Sequence, residues 1–96
     1  IDFLASAFDP LSLDILEKNE VIAHKIASSE TTNLLLLNKV TKTGKPLIIS
    51  TGMCDFVDIE EALCISYANK NHNICIMQCG SLYPLDSKNA NLNVFK

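Results

Sequence analysis

Glycine is scarce in this chain of 96 residues: it occurs only at Gly44, Gly52 and Gly80. That spacing forms neither a G-x-G-x-x-G fingerprint nor a phosphate-cradling P-loop, so neither nucleotide motif is present. Positive charge is also short, with 8 Lys and Arg against 11 Asp and Glu and a net charge of −3. Without a broad basic field, nucleic-acid binding has no support. No apolar run approaches the roughly 20 residues that a membrane-spanning helix needs, so no membrane partner is expected. The four cysteines, Cys54, Cys64, Cys75 and Cys79, lack the paired short spacings of a zinc site, and His24 and His72 lie elsewhere. They read as ordinary buried thiols, with no metal site among these residues. Nothing marks the chain as secreted, so disulfides are not expected and a reducing, cytoplasmic setting is. The amino-terminal Ile1 to Ala7 has no initiator Met and no basic flank, and Asp2 interrupts it. It reads as a chain that begins inside a strand, not as a leader.

What is present is a soluble composition, 48% hydrophobic and 20% charged, which suits a small folded core and argues against disorder. Asp2 to Ser6 is a short apolar run, followed by Asp9 and Pro10 as a helix cap and first position, with Leu13, Leu16 and Ile15 as the buried stripe. Val21 to Ala27 is a second strand. Its period of two puts Ala23, Lys25 and Ala27 on one face and Ile22, His24 and Ile26 on the other.

A helix from about Asn33 to Lys42 ends at Gly44, and Pro46 to Ser50 is a third strand. Asp55 caps a helix to about Asn69, with Asp58, Glu60 and Glu61 in its first turns. Asn71 to Asn73 is a turn. Ile74 to Cys79 is a fourth strand, with Gly80 to Pro84 as its exit loop. This is an uninterrupted βαβαβαβ run, which implies parallel strands and right-handed crossovers.

Alternation of this kind builds either an open doubly wound sheet or a closed eight-stranded barrel. The doubly wound sheet goes with a dinucleotide or phosphate loop, absent here. The barrel draws its site from the carboxyl ends of several strands. Such ends occur four times: Ser6 and Phe8; Lys25 with Ser28 and Glu30; Ser50 and Thr51; and Ser81 with Tyr83. The expected fold is α/β, a partial TIM barrel of four consecutive βα units. Since four strands cannot close a barrel, residues 1–96 are read as a fragment of one catalytic domain.

The string Lys25-Ile26-Ala27-Ser28-Ser29-Glu30 with Thr32-Asn33, then Thr43-Gly44-Lys45-Pro46-Leu47-Ile48-Ile49-Ser50-Thr51-Gly52-Met53, then Gln78-Cys79 with Ser81, Tyr83, Pro84 and Asn91-Leu92, resembles the sialic acid synthase family. That family includes N-acetylneuraminate, legionaminate and pseudaminate synthases and related spore-coat polysaccharide enzymes. The resemblance runs from about Phe3 to Leu92. It implies a (β/α)8 barrel with an antifreeze-like domain after it, of which this chain would supply strands three to six.

The implied reaction condenses phosphoenolpyruvate with the open-chain aldehyde of N-acetylmannosamine or a related N-acylated amino sugar. It gives a nonulosonic acid and releases phosphate. A divalent metal, Mn or Mg, would polarise the aldehyde through ligands outside this chain, and the complete enzyme would be a cytoplasmic homodimer. The 96 residues alone would be inactive.

On this resemblance Lys25 and Glu30 are the catalytic candidates, and Ser6, Phe8, Lys25, Ser28, Ser81 and Tyr83 the substrate-binding ones. A lysine on a strand inside a barrel is a compact counter-charge for a phosphate and a carboxylate. Ser28 and Ser6 match hydroxyls toward the same ligand, Ser6 standing where the family has Thr. Ser81 matches a polar ligand-binding position, Tyr83 an aromatic hydroxyl against the sugar, and Phe8 a wall of the site. Glu30 matches an acidic rim residue able to assist proton transfer.

Plainer roles stand beside these. Lys25 could reach solvent at a strand edge or pair with Glu30, the serines could bond their own backbone, Tyr83 could pack against Pro84, and Phe8 could be core. Ser50 and Thr51 are expected to shape their turn. Ala7, Ser29 and Gly80 stand where relatives carry Pro, Gly and Thr, which alters loop stiffness, and Ser29 raises the question of a different local conformation. Two other classes compete: a lyase using Lys25 as a Schiff-base nucleophile, separable by borohydride trapping with pyruvate, and a non-catalytic α/β binding module, separable by Lys25-dependent calorimetry with phosphoenolpyruvate.

Overall fold

The computed structural model describes residues 1–95. Its elements in chain order are α1 (Pro10–Lys18), β1 (His24–Ile26), a 3-10 turn (Ser28–Glu30), α2 (Leu34–Thr41), β2 (Leu47–Ser50), α3 (Phe56–Ala68) and β3 (Ile74–Met77). Two further 3-10 turns follow, Ser87–Asn89 and Leu92–Phe95.

Each helix starts where a side chain satisfies its first free amides. Asp9 accepts from Ser12 N and Ser12 Oγ, both at 2.8 Å, and Pro10 takes the first helical position. These Ser12 bonds hold the Asp9 carboxyl below its usual range. Asn33 Oδ1 accepts from Leu36 N at 3.2 Å. Asp55 and Asp58 form a reciprocal capping box, with bonds of 3.0 and 2.9 Å. The chain leaves α2 through Gly44, whose φ of +73° suits a residue without a side chain.

The three strands are parallel and lie in the order β1-β2-β3, without reversal. Register sets His24 beside Leu47 beside Ile74, and Ile26 beside Ile49 beside Ile76. From this face Ile26, Leu47 and Ile49 join Leu13 of α1, Leu36, Leu37 and Val40 of α2, and Ala62 of α3 in one buried core. Lys25, Ile48 and Cys75 form the row on the opposite face. All three helices therefore share one side of the sheet, and the lysine sits on the other.

At the amino-terminal end of the sheet, Glu17 Oε1 accepts from His24 Nε2 at 2.6 Å and Lys45 Nζ at 2.9 Å. A carboxylate only accepts, so Nε2 carries the proton. His24 is fully buried, and its Nδ1 has no partner among the described residues.

Several boundaries differ from the sequence reading. The strand expected over Asp2 to Ser6 reduces to a single parallel bridge from Ser6 to Lys25. Ile1, Phe3 and Leu4 are exposed, so the run has no second neighbour and no apolar cover to hold a longer ladder. The next strand begins at His24 instead of Val21, because Glu20 turns the chain at φ 54° and Val21 N still bonds Leu16 O. The last strand ends at Met77 instead of Cys79. The thiols are not the buried set expected: Cys64 and Cys75 are exposed and Cys54 and Cys79 partly so.

Candidate functional site

The polar residues at the carboxyl ends of β1, β2 and β3 fall into three groups. The first is centred on Lys25, halfway along β1 on the face away from the helices. Ser6 bridges directly to it. Lys25 is half-buried, and among the described residues it makes no ion pair. The proposed Lys25–Glu30 pair does not form. Glu30 Oε2 instead accepts from Asn33 Nδ2 at 3.0 Å, which orients the carboxylate at the end of its turn.

Ser28 and Glu30 open and close the 3-10 turn that leaves β1. Ser29, between them, has no left-handed backbone, so serine fits the position without strain. Cys54 Sγ lies 3.6 Å from Ser28 O, so the loop after β2 touches the turn after β1. Burial pushes the Cys54 thiol above its ordinary pKa, which keeps it a protonated donor.

The second group shapes the exit of β2. Thr51 donates to Met77 O at 2.9 Å, and Ser50 O accepts from Thr31 Oγ1 at 3.0 Å. Thr51 thus holds backbone with its side chain, whereas Ser50 takes part through its main-chain carbonyl. Gly52 lies against the loop that follows β3: a Cβ there would lie 3.0 Å from Cys79 O and 3.1 Å from the Gly80 carbonyl carbon.

The third group follows β3. Ser81 borders an open cleft of about 420 Å³ between the β2–α3 loop and the carboxyl-terminal segment, together with Thr51, Asp55, Gln78 and Asn91. Lys25, Ser28 and Tyr83 do not line this cleft. Ser81 belongs to the loop that follows β3. Tyr83 is 92% exposed, so loop packing does not occupy it, and Phe8 is 54% exposed, so it is not core.

The structure pairs Ser6 with Lys25 and places Ser28 and Glu30 in the turn that leaves the same strand, while Phe8, Ser81 and Tyr83 lie on other loops. Thr31 and Cys54 were missed by the sequence reading. A hydroxyl just past a polar strand end was the available signal, but its partner Ser50 lies 19 positions away. Among the described residues, no group of three or more His, Cys, Asp or Glu side chains is arranged to hold a metal ion. No described helix is long and apolar enough to cross a membrane.

A family model described as the NeuB family matches residues 1–96. An uncharacterized protein of Methanocaldococcus jannaschii is 44% identical over 96 residues, covering all of this chain and 28% of that protein. The N,N'-diacetyllegionaminic acid synthase of Campylobacter jejuni is 39% identical over 98 residues, covering all of this chain and 29% of the enzyme. Among solved structures, N-acetylneuraminic acid synthetase of Leptospira borgpetersenii, in complex with citrate, superposes with a TM-score of 0.91 at 33% identity, over 98% of this chain and 33% of that one. The chain thus spans under a third of the length of these two relatives.

Proposed function

The chain belongs to the NeuB family, and from that premise we propose that it is part of the catalytic barrel of a nonulosonic acid synthase, which joins phosphoenolpyruvate to an N-acylated amino sugar, consuming one water and releasing phosphate. Its relatives include a legionaminic acid synthase and a sialic acid synthetase, which supports sugar-acid biosynthesis as the reaction class. Strand order that follows the chain, with helices on one face of the sheet, is what a barrel segment requires and supports that part of the reading.

The observation that carries the reading is Lys25: a half-buried ammonium with no carboxylate partner among the described residues, on the sheet face opposite the helices. A structural lysine would be paired or extended into water. An unpaired one beside Ser6 and just before Ser28 is a ready counter-charge for an anion. Phosphoenolpyruvate brings a phosphate and a carboxylate, so Lys25 attracts it while Ser6 and Ser28 donate hydroxyl hydrogen bonds.

Glu30, oriented by Asn33, stands at the same rim to take or return a proton as the new carbon–carbon bond forms. Ser81 and the exposed Tyr83 hydroxyl, one loop away, are assigned to the sugar, with Phe8 as a flanking wall. Among the described residues no three His, Cys, Asp or Glu side chains are grouped to hold a metal ion. A divalent metal, Mn or Mg, belongs to the proposal only as a group held elsewhere in the complete protein, which is taken to be a cytoplasmic homodimer.

Calorimetry with phosphoenolpyruvate on the complete protein tests the reading. Binding should be present in the wild type and largely lost in Lys25→Met, and borohydride with pyruvate should trap no adduct. Equal affinity in both proteins, or a trapped imine at Lys25, overturns it.

A further inference from the structure

Two side chains fasten the turn that carries Ser28 and Glu30 to the neighbouring strand. Thr31, the residue after that turn, is completely buried. Its hydroxyl lies 3.3 Å from Ala27 O, four residues back, and 3.0 Å from Ser50 O at the end of β2. A hydroxyl in a helical turn can satisfy itself on its own chain four residues back. The shorter contact here runs instead to another strand. Since a hydroxyl has a single proton to give, the geometry favours the cross-strand bond.

The turn has little of its own to hold it. Glu30 N bonds Ala27 O at 2.9 Å and Thr31 N bonds Ser28 O at only 3.4 Å, and three-residue 3-10 turns have poor hydrogen-bond geometry. Cys54 adds a second tie, its Sγ 3.6 Å from Ser28 O. The carbonyl of Ser28 and the end of the turn are thus both anchored to the exit of β2.

We propose that Thr31, assisted by Cys54, is a positioning residue for the phosphoenolpyruvate side of the site: it fixes the Ser28–Glu30 turn against β2 so that the Ser28 hydroxyl and the Glu30 carboxylate face the ligand held by Lys25. This rests on the ligand reading given above. Thr31 itself touches no substrate. Its effect is to pre-order two groups that a free turn would have to order on binding.

The test uses the complete enzyme with two readouts, amide hydrogen exchange of the turn and Michaelis constants for both substrates. Thr31→Val removes the hydroxyl while keeping the branched shape. It should speed exchange at the Glu30 and Thr31 amides and raise the constant for phosphoenolpyruvate about five- to tenfold, the loss of one hydrogen bond's worth of order. The constant for the sugar should move less than about twofold, because that side depends on other loops. Thr31→Ser should restore both readouts.

Cys54→Ala, at a partly exposed position that no core depends on, should move both readouts the same way by a smaller factor. Unchanged exchange in Thr31→Val, parallel shifts in both Michaelis constants, or no rescue by serine overturns the clamp. Lys25→Met, run alongside, separates the premises. Undiminished phosphoenolpyruvate affinity there overturns the ligand reading, whereas the exchange data judge the clamp without any ligand.

Discussion

At Lys25 the decisive property is charge without a partner. Replacing it by methionine keeps the length and apolar stem but removes the only lysine of β1. A hydrogen bond to a charged group is worth about 1.5–3 kcal/mol, so phosphoenolpyruvate affinity should fall roughly ten- to a hundredfold. Turnover should largely disappear, while the amino sugar should be less affected. Steady-state kinetics on the complete enzyme check this, and near-wild-type turnover would rule out the assigned role. Tyr83 makes the complementary case. Its ring is almost fully exposed, so Tyr83→Phe should leave folding unchanged. It should raise the Michaelis constant for the sugar by up to about tenfold, with that for phosphoenolpyruvate held, as expected for one neutral hydrogen bond. Equal movement of both constants would make Tyr83 a loop residue only.

Between elements, the Glu17 carboxylate ties α1 to the start of β1 and to Lys45 before β2. Partial burial pushes the Glu17 pKa up, but hydrogen bonds from Lys45 and His24 outweigh it, and the net shift is below the ordinary 4.5. A group with a depressed folded pKa stabilises the protein above its unfolded pKa, and the effect is lost as pH falls through the folded value. Wild type should therefore melt above Glu17→Gln near pH 7, and the gap should close as the pH drops below about 4.5. A gap independent of pH would show that the charge of Glu17 contributes nothing. The exit of β2 also depends on a close backbone contact. At Gly52 an added Cβ meets the carbonyl groups of Cys79 and Gly80, which cannot swing away like a side chain. Gly52→Ala should destabilise by about 1–3 kcal/mol, read by denaturant unfolding, and should disturb the Ser81 loop.

For the whole molecule the open sheet face dominates. Cys75 and Met77 of β3 are exposed there, Ile48 is only partly covered, and β1 has a single bridge on its outer edge. Unpaired strand edges and an uncovered apolar face favour association. The isolated 96 residues should elute larger than a monomer or bind a hydrophobic dye, and should form no nonulosonic acid with any added metal. A monomeric, cooperatively melting, active chain would contradict both the barrel-segment reading and the function built on it.

The alternation of helix and strand was legible in the sequence because its causes are local. Asp9, Asn33 and Asp55 cap helices within three residues of themselves, and the period of two around Lys25 separates it from His24 and Ile26 wherever the strand lies. The grouping of Lys25, Ser28 and Glu30 was legible for the same reason, since six consecutive residues carry it. Strand length was not. Asp2 to Ser6 reads as a strand, yet pairing needs a neighbour, and only Ser6 finds one. Nor could the sequence choose between an ion pair for Glu30 and the bond it makes to Asn33, or reveal that Thr31 reaches Ser50 and Cys54 reaches Ser28. Those contacts join residues 19 and 26 positions apart. Only the parallel register of β1 and β2 brings them within bonding distance, and register is a property of the assembled sheet.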